Sequence, residues 1–307
     1  IRDRYYHIDG FRFDAVSNLI YYEGNKNLGE NIGAMEWMKR LNGHMSGYHP
    51  TVMMIAEDST DYPGVTKPVG EHGLGFDYKW DLGWMNDTLK YFQEDPVYRQ
   101  YDSRFITFSM AYFYSERFLL EFSHDEVVHL KCSMINKMPG EYEDKFANLK
   151  VGYTFMMGHP GKKLLFMGQD FGQWAEWSEA KSLDWHLTNE NMHSDLQKYV
   201  KSLLSIYNRY KACYELDQDP EGFEWMDPDD NTRSIYSFVR KTMDGRDSIL
   251  YVCNFTPVAR PDFRVGVPCP GRYTLLLNEK REEGTEYIAE KIPTDRMEYS
   301  IPLPLAP

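Results

Sequence analysis

Short apolar runs alternate with helical patterns along the first two thirds of the chain. The runs lie at residues 6–16, 52–56, 76–80, 118–123 and 163–167, and each ends at a polar or glycine-containing turn. Continuous apolar runs of this length are typical of buried parallel strands that are covered on both faces. Helical patterns between the runs then predict successive strand–helix–strand units.

Two of the helical patterns are well marked. The first places Met35, Met38 and Leu41 on one face. The second is an apolar stripe that consists of Leu196, Val200, Leu203, Leu204 and Tyr207. Ser194 with Gln197 predicts a capping box at the start of this second helix.

The pattern changes after about residue 211, where Gly, Pro and Asp separate short apolar runs and the helical periodicity disappears. The predicted strands of this region lie at residues 223–226, 234–241, 248–254, 272–277 and 297–301. Short strands between turn residues predict a small antiparallel β-sandwich. We therefore expect two domains, residues 1–210 and residues 211–307.

Composition limits the classes of protein and of partner. The chain has 307 residues, of which 42% are hydrophobic and 15% aromatic, enough for a large core. Its formal net charge is −13, so we expect no nucleic-acid partner and no membrane partner. No apolar run reaches the length of a membrane span. An acidic chain rich in aromatic residues fits a neutral polyhydroxyl ligand.

The four cysteines, Cys132, Cys213, Cys253 and Cys269, are far apart and form no CxxC motif. This spacing predicts neither a zinc site nor a redox pair. Reduced thiols in a cytoplasmic protein are the simpler interpretation. The sequence shows no signal peptide and opens at Ile1 inside a charged segment, so we expect it to be part of a longer protein.

The first apolar run carries two charged residues on one face. Arg12 and Asp14 are two apart in a predicted strand, so their side chains point the same way. A nearby guanidinium favours the ionised carboxylate, and an ionised carboxylate at a strand end is a candidate nucleophile. A structural ion pair is the alternative, and this segment alone leaves both open.

Two other runs also end in acidic residues. Glu57 directly follows the second run, where burial suits a general acid, although an exposed loop glutamate fits the same pattern. The fourth run ends at His124 and Asp125, which we expect to point into a pocket. His124 and His129 are five apart and share no helix face, so we expect no metal site. Three strand-end carboxylates suit a double displacement at a glycosidic carbon.

Three segments together are similar to signature regions of the α-amylase superfamily of glycoside hydrolases. They are DGFRFDAV at residues 9–16, AEDS at residues 56–59 and FSHDEV at residues 122–127, in the order of that superfamily. GFDYKWDLGWMNDT at residues 75–88 and FMGQDFGQ at residues 166–173 narrow the resemblance to the 1,4-α-glucan branching enzymes. The resemblance implies an α/β fold, the latter part of a (β/α)8 TIM-type barrel, followed by an all-β sandwich domain.

The resemblance also implies a role for five residues. Asp14 matches the catalytic nucleophile, Glu57 matches the general acid/base, and Asp125 matches the aspartate that stabilises the transition state. Arg12 and His124 match residues that hold the nucleophile and the sugar. The active site of such barrels lies at the carboxyl ends of the strands.

A branching enzyme cuts an α-1,4 bond of a glucan and transfers the cut chain to a 6-hydroxyl with retention. The resemblance therefore implies an α-glucan partner, no cofactor and no metal. An amylase-type or debranching hydrolase uses the same carboxylates and remains an alternative. The first signature region, Asp-x-x-x-Asn-His, has no counterpart in the sequence. We thus expect the N-terminal part of the same polypeptide to complete the barrel, and a non-catalytic glucan-binding fragment is the third possibility.

Four tryptophans are candidates for stacking on sugar rings: Trp80, Trp84, Trp174 and Trp177. We predict Trp80 and Trp84 as substrate-binding residues. Core packing is the more common role for any one of the four, because a buried indole contributes a large apolar surface.

Overall fold

The computed structural model describes residues 7–307, which divide into two compact units. The first unit consists of residues 7–86 with Ser109–Glu121, and the second of Asp87–Phe108 with Phe122–Pro307. The predicted domain boundary at residue 210 stays a prediction. Tyr6, at the start of the first apolar run, lies outside the described residues.

Four parallel strands give the first unit its sheet. They are β1 (Gly10–Phe13), β2 (Met53–Ala56), β3 (Tyr78–Trp80) and β4 (Phe118–Phe122). Each strand pairs with the next, and the register places Arg12 opposite Ile55, Ile55 opposite Tyr78, and Trp80 opposite Leu119. Four of the predicted runs are therefore strands, and each strand is shorter than its run.

Three helices begin in the first unit: α1 (Ser17–Ile20), α2 (Ile32–Tyr48) and α3 (Leu82–Gln93). Asn31 caps α2, because its side-chain oxygen accepts the N–H of Ala34 at 3.1 Å. Met35 and Met38 are buried in a core cluster that includes Met54 of β2. The predicted apolar face of this helix is therefore confirmed.

The second unit contains the remaining helices and the fifth predicted run. The helices are α4 (Arg104–Thr107), α5 (Met134–Lys137), α6 (Tyr142–Gly158) and α7 (Asn191–Arg209). The fifth run forms β5 (Lys162–Leu165). Among residues 7–307, no helix is both long and apolar enough to cross a membrane.

Helix α7 begins earlier than the sequence predicts. It starts at Asn191, and the N–H of Ser194 already donates to the Glu190 carbonyl at 2.9 Å. The Gln197 side chain donates to Asp170 at 3.1 Å. The predicted capping box is therefore wrong, because both of its residues lie inside the helix. The predicted apolar stripe of α7 is confirmed for Leu196, Val200 and Leu203, which are buried, whereas Leu204 is exposed and does not belong to it.

Antiparallel strands dominate the C-terminal region. One sheet consists of β6 (Phe223–Asp227), β7 (Ile235–Lys241) and β8 (Ser248–Asn254). Two smaller sheets pair β9 (Arg264–Val267) with β12 (Tyr299–Pro302) and β10 (Arg272–Thr274) with β11 (Glu286–Ile288). The sequence did not predict β9 or β11. Gly266 interrupts the apolar run of β9. A larger residue does not fit at this position, because a Cβ there would lie 2.5 Å from the Thr294 carbonyl oxygen.

Candidate active site

A single guanidinium group contacts both candidate catalytic carboxylates of the first unit. Nη1 of Arg12 lies 3.0 Å from Oδ1 of Asp14, and Nη2 lies 3.9 Å from Oε2 of Glu57. The same guanidinium lies over the ring of Trp80, 4.3 Å from its centroid. The strand ends therefore bring together three of the residues that the sequence singled out, around one positive charge.

Backbone hydrogen bonds tie the end of β1 to Glu57. The N–H of Ala15 donates to Oε2 of Glu57 at 2.5 Å, and the N–H of Val16 donates to the Glu57 carbonyl at 2.8 Å. The Glu57 N–H in turn donates to the Phe13 carbonyl at 2.9 Å. Ala15 has φ 47°, a left-handed conformation that turns the chain directly after Asp14. This turn holds Glu57 next to the candidate nucleophile.

The two carboxylates differ in exposure. The side chain of Asp14 is 77% exposed, whereas that of Glu57 is 18% exposed. Asp14 is thus open to an incoming reactant within this unit. Glu57 is enclosed by the turn, and one of its oxygens already accepts a backbone hydrogen bond.

The register of the sheet places five polar or aromatic side chains on one face. Arg12 is opposite Ile55, and Ile55 is opposite Tyr78. Because side chains alternate along a strand, Glu57 and Trp80 share the face of Arg12. On β4, Leu119 and Glu121 lie on the same face.

Glu121 is a fully buried carboxyl group on that face. Its Oε2 accepts the N–H of Asp81 at 3.1 Å. Asp81 follows β3, and its Oδ1 accepts the N–H of Trp84 and the hydroxyl of Tyr112, each at 2.9 Å. Burial, and then the carboxylates of Asp81 and Glu57, hold the pKa of Glu121 well above its usual range. The protonated form of Glu121 is therefore favoured.

A buried ion pair lies next to Glu57 in the sequence. Nζ of Lys79 lies 2.8 Å from Oδ2 of Asp58, and the side chains are 8% and 0% exposed. The same ammonium donates to the Thr60 carbonyl at 2.8 Å. The β3 strand is thus bonded to the segment that follows Glu57.

A second buried carboxylate organises the rest of that loop. Glu116 accepts the N–H of Gly64 at 2.6 Å, of Val65 at 2.9 Å and of Thr66 at 2.8 Å. The Thr66 hydroxyl also donates to it. One side chain therefore satisfies the polar groups of a whole turn between β2 and β3.

His124 and Asp125 lie in the second unit. They belong to the short 3₁₀ helix His124–Glu126 that follows β4, and Nε2 of His124 lies 3.3 Å from Oδ1 of Asp125. The His124 ring contacts Phe166 and Trp177, at centroid distances of 5.7 and 6.4 Å. The Asp125 side chain is 55% exposed. Within the part of the chain that the structure describes, no three His, Cys, Asp or Glu residues form a metal-binding group.

The tryptophans occupy different environments. Trp80 is 5% exposed and lies under the Arg12 guanidinium, and Trp84 is 1% exposed at the start of α3. Trp174 stacks on Tyr142 with a centroid distance of 6.0 Å. Burial of this extent agrees with core packing for Trp84. A sugar-stacking role for Trp80 and Trp84 stays a prediction.

Sequence reasoning missed three charged residues near Glu57: Asp58, Lys79 and Glu121. A signal for two of them exists in the sequence. Lys79 and Glu121 each interrupt an apolar run that predicts a buried strand, and a buried charge requires a partner. Asp58 directly follows Glu57 and looks like an ordinary loop residue, so only the structure identifies it as the partner of Lys79.

The fold is similar to that of the α-amylase superfamily. A model of the alpha amylase C-terminal all-beta domain matches residues 225–307. Among solved structures, a cyclomaltodextrinase has a TM-score of 0.66 at 14% identity, with 99% of this chain and 45% of that chain covered. A pullulanase from Bacillus acidopullulyticus has a TM-score of 0.67 at 13% identity, with 98% and 38% covered. These two structures show the fold alone.

Closer relatives in sequence are 1,4-alpha-glucan branching enzymes named GlgB. The enzyme of Bacillus caldolyticus is 52% identical over 91% of this chain and 42% of its own length. The enzyme of Butyrivibrio fibrisolvens is 50% identical over 91% of this chain and 45% of its own length. The resemblance to the branching enzymes is therefore confirmed, and the chain spans less than half the length of these two relatives.

Proposed function

We propose that the whole protein is a 1,4-α-glucan branching enzyme, a glycosyltransferase that makes α-1,6 branches. The observation that carries the proposal is the shared Arg12 guanidinium, which contacts both Asp14 and Glu57 at the ends of adjacent strands. Two carboxyl groups close enough to share one guanidinium suit the retaining mechanism, in which one attacks and the other exchanges a proton. The names of the relatives support the α-glucan substrate.

In the proposed first step, Asp14 attacks the anomeric carbon of an α-1,4-linked glucose. Arg12 holds its carboxylate by a 3.0 Å contact, and the exposed side chain is free to reach the sugar. Glu57 donates its proton to the departing glycosidic oxygen. The carbon–oxygen bond of the glucan breaks as the Asp14 ester forms, with inversion at the carbon.

In the proposed second step, a 6-hydroxyl of another glucan segment attacks the ester. Glu57 is now ionised and accepts the hydroxyl proton, so the same residue acts as acid and then as base. Asp14 leaves as a carboxylate, and the second inversion gives net retention. The product contains a new α-1,6 bond.

The proposal also gives roles to Asp125 and His124, which belong to the second unit. We assign Asp125 the stabilisation of positive charge at the anomeric carbon, and His124 a contact to the sugar. The exposed Asp125 carboxylate and its contact with the His124 ring support this assignment. Trp80 and Trp84 remain candidate substrate contacts, with no cofactor and no metal in the mechanism.

Hydrolysis is the second candidate function, because a water in place of the acceptor sugar would give an amylase-type or debranching enzyme. The names of the relatives at about half identity favour transfer, since each is a branching enzyme. The third possibility is a non-catalytic glucan-binding fragment. It applies to the chain in isolation, because the relatives are more than twice as long as the part that they share with it.

Amylose offers a direct test between transfer and hydrolysis. The full-length protein is incubated with amylose, and both the iodine colour and the reducing ends are followed. Branching predicts a loss of blue colour without new reducing ends, because each cut chain is rejoined. A rise in reducing ends that parallels the colour loss would contradict branching and support hydrolysis.

A trapping experiment tests the residue roles. In Glu57→Gln, an α-glucosyl fluoride should still form the Asp14 ester, because fluoride leaves without a proton. The ester should persist, since no base remains to activate the acceptor. Peptide mass spectrometry should find the adduct on the Asp14 peptide, whereas the matched control Asp61→Asn should accumulate none. An adduct on another peptide would overturn the assignment of Asp14.

We also propose that the protein acts in the cytoplasm. The four cysteines are free, which fits a reducing compartment. The proposed partners are α-glucans and the N-terminal part of the same polypeptide, which would supply the rest of the barrel. Fractionation of the source cells with antibody detection tests the location.

A further inference from the structure

The Lys79–Asp58 pair lies on the opposite face of the sheet from Glu57. Lys79 is opposite Ala56 in the β2–β3 register, and Asp58 lies two residues beyond Ala56. Side chains two apart in an extended segment share a face, whereas Glu57, between them, points to the other. The ion pair is therefore immediately behind the backbone that carries the proposed acid/base.

The Asp58 carboxylate accepts three hydrogen bonds. Its Oδ1 accepts the N–H of Thr60 at 3.2 Å, and its Oδ2 accepts the Thr60 hydroxyl at 3.0 Å as well as the Lys79 ammonium at 2.8 Å. The ammonium also bonds the Thr60 carbonyl at 2.8 Å. Lys79 and Asp58 thus fix residues 58–60 from both ends, and these residues directly follow Glu57.

A buried ion pair of this kind has a small net effect on stability, because desolvation offsets most of the attraction between the charges. Its effect on geometry is larger, since both partners lose their hydrogen bonds if the segment moves. The backbone on the other side of Glu57 is held by β1, through the bond from the Glu57 N–H to the Phe13 carbonyl at 2.9 Å. Glu57 is therefore clamped between β1 and β3.

Building on the proposed function, we propose that Lys79 and Asp58 are positioning residues for Glu57. They lock the segment that orients its carboxyl group, and they add no net charge behind it. The other charged groups near Glu57 in this unit are Arg12 and Asp14 at the end of β1 and, on β4, Glu121, whose pKa burial holds well above its usual range.

The charge balance makes opposite predictions for the two single variants. Lys79→Met removes a positive charge and leaves Asp58 uncompensated, so Glu57 should hold its proton more tightly. Asp58→Asn leaves the ammonium uncompensated, so Glu57 should release its proton more easily. The basic limb of the pH profile of kcat/KM, which requires the protonated acid, should therefore move in opposite directions.

The experiment compares the pH profiles of the full-length protein in four forms: wild type, Lys79→Met, Asp58→Asn and the double variant. The basic limb should move up by about one pH unit in Lys79→Met and down by about one unit in Asp58→Asn. It should return towards the wild-type position in the double variant, where both charges are gone. The kcat of each variant should fall by about tenfold or more, because the acid is less well oriented.

A matched control pairs Asp61, in the same loop, with Lys26 from the segment between β1 and α2. Lys26 and Asp61 form an ion pair of similar length, 3.0 Å, but their side chains are 66% and 77% exposed. Lys26→Met removes the same charge from the same unit without touching the segment behind Glu57. Its pH profile and its kcat should match the wild type, because solvent screens an exposed pair.

Hydrogen exchange provides a readout that needs no activity. Amides of residues 57–60 should exchange faster in Lys79→Met and in Asp58→Asn than in the wild type and in Lys26→Met, because the segment opens more often. Unchanged exchange in both variants, or pH profiles that move in the same direction, would overturn the positioning role. A wild-type protein without branching activity would contradict the proposed function, and the exchange measurement would still decide the positioning role.

Discussion

The two compact units bury charged side chains in different places. In the first unit, four of them lie on or just after β2, β3 and β4, towards the end of the sheet that carries the proposed acid/base: Asp58, Lys79, Asp81 and Glu121. In the second unit, buried charges include Arg99, Asp217 and Arg240, which bond mainly to backbone carbonyls and to each other. The first arrangement surrounds a reactive group, whereas the second connects segments of backbone.

Arg240 illustrates the second arrangement. It is fully buried on β7, and its guanidinium donates to the carbonyls of Gly222 and Gly158, each at 3.1 Å, and to Asp217 at 2.8 Å. Gly158 ends helix α6, and a Cβ there would lie 2.6 Å from the ring of Tyr251. One cation therefore joins a helix end, a loop and a strand. The buried charged groups of this unit should govern stability and leave the reaction unaffected.

The largest expected effect concerns the reactive group itself. Asp14→Asn in the full-length protein should lower the branching rate by about 10⁴-fold or more, because an amide cannot form the glycosyl ester. Thermal stability should be nearly unchanged, since the Asp14 side chain is 77% exposed. Rate measurement and calorimetry on the same preparation check both parts. Retention of full activity would show that Asp14 belongs with the structural charges.

Arg240→Met should show the reverse behaviour. The substitution leaves two carbonyls without a donor and removes one partner of the buried Asp217, which keeps Lys162 at 2.9 Å. We expect a loss of about 3–5 kcal/mol in the free energy of unfolding, measured by denaturant titration of the full-length protein. The pH profile of the remaining activity should keep its shape. A shifted profile would mean that the two units do not separate these roles.

Glu121→Gln should have the smallest effect at acid pH, and its effect should depend on pH. The pKa of Glu121 is raised well above its usual value in the folded protein, so folding takes up a proton at pH values between the unfolded and the folded pKa. The stability that this proton uptake supplies is complete below the unfolded pKa of about 4.3, and it is lost as the pH rises towards the folded pKa. Glutamine has no proton to take up, so the free energy of unfolding of Glu121→Gln should increase relative to that of the wild type as the pH rises.

The gain should be near zero at about pH 4 and grow by about 1.4 kcal/mol for each pH unit between the two pKa values. Denaturant titrations of the wild type and of Glu121→Gln across this range provide the measurement. A difference that does not depend on pH would show that Glu121 is ionised in the folded protein. Glu121 would then belong with the paired charges, as Asp58 does.

The strands of the first unit could be predicted because their apolar runs are continuous and end in turns. The strand β9 could not, because Gly266 breaks the run where the Thr294 carbonyl leaves no space for a side chain. The start of α7 was misplaced because Ser194 and Gln197 have the spacing of a capping box inside a helix. A local sequence pattern indicates only the propensity for a strand or a helix, and long-range packing decides which element forms and where it begins.

The candidate site was predicted only as far as its residues lie in recognisable segments. We could predict Arg12, Asp14 and Glu57 because they lie at strand ends and in segments that resemble a known family. The structure places Asp14 and Glu57 at the guanidinium of Arg12. The pairing of Lys79 with Asp58 spans 21 residues and depends on the β2–β3 register. No local pattern encodes that register, because it is fixed by the sheet as a whole.

The contact between Glu116 and the turn at residues 64–66 has a consequence for the order of events during synthesis. The carboxylate lies 50 to 52 residues after the amides that it bonds. At a translation rate of about 5–20 residues per second, the turn waits roughly 2.5 to 10 s for its partner to emerge from the ribosome. During that interval the amides of residues 64–66 lack the Glu116 carboxylate, so the nascent loop is open to chaperones and proteases.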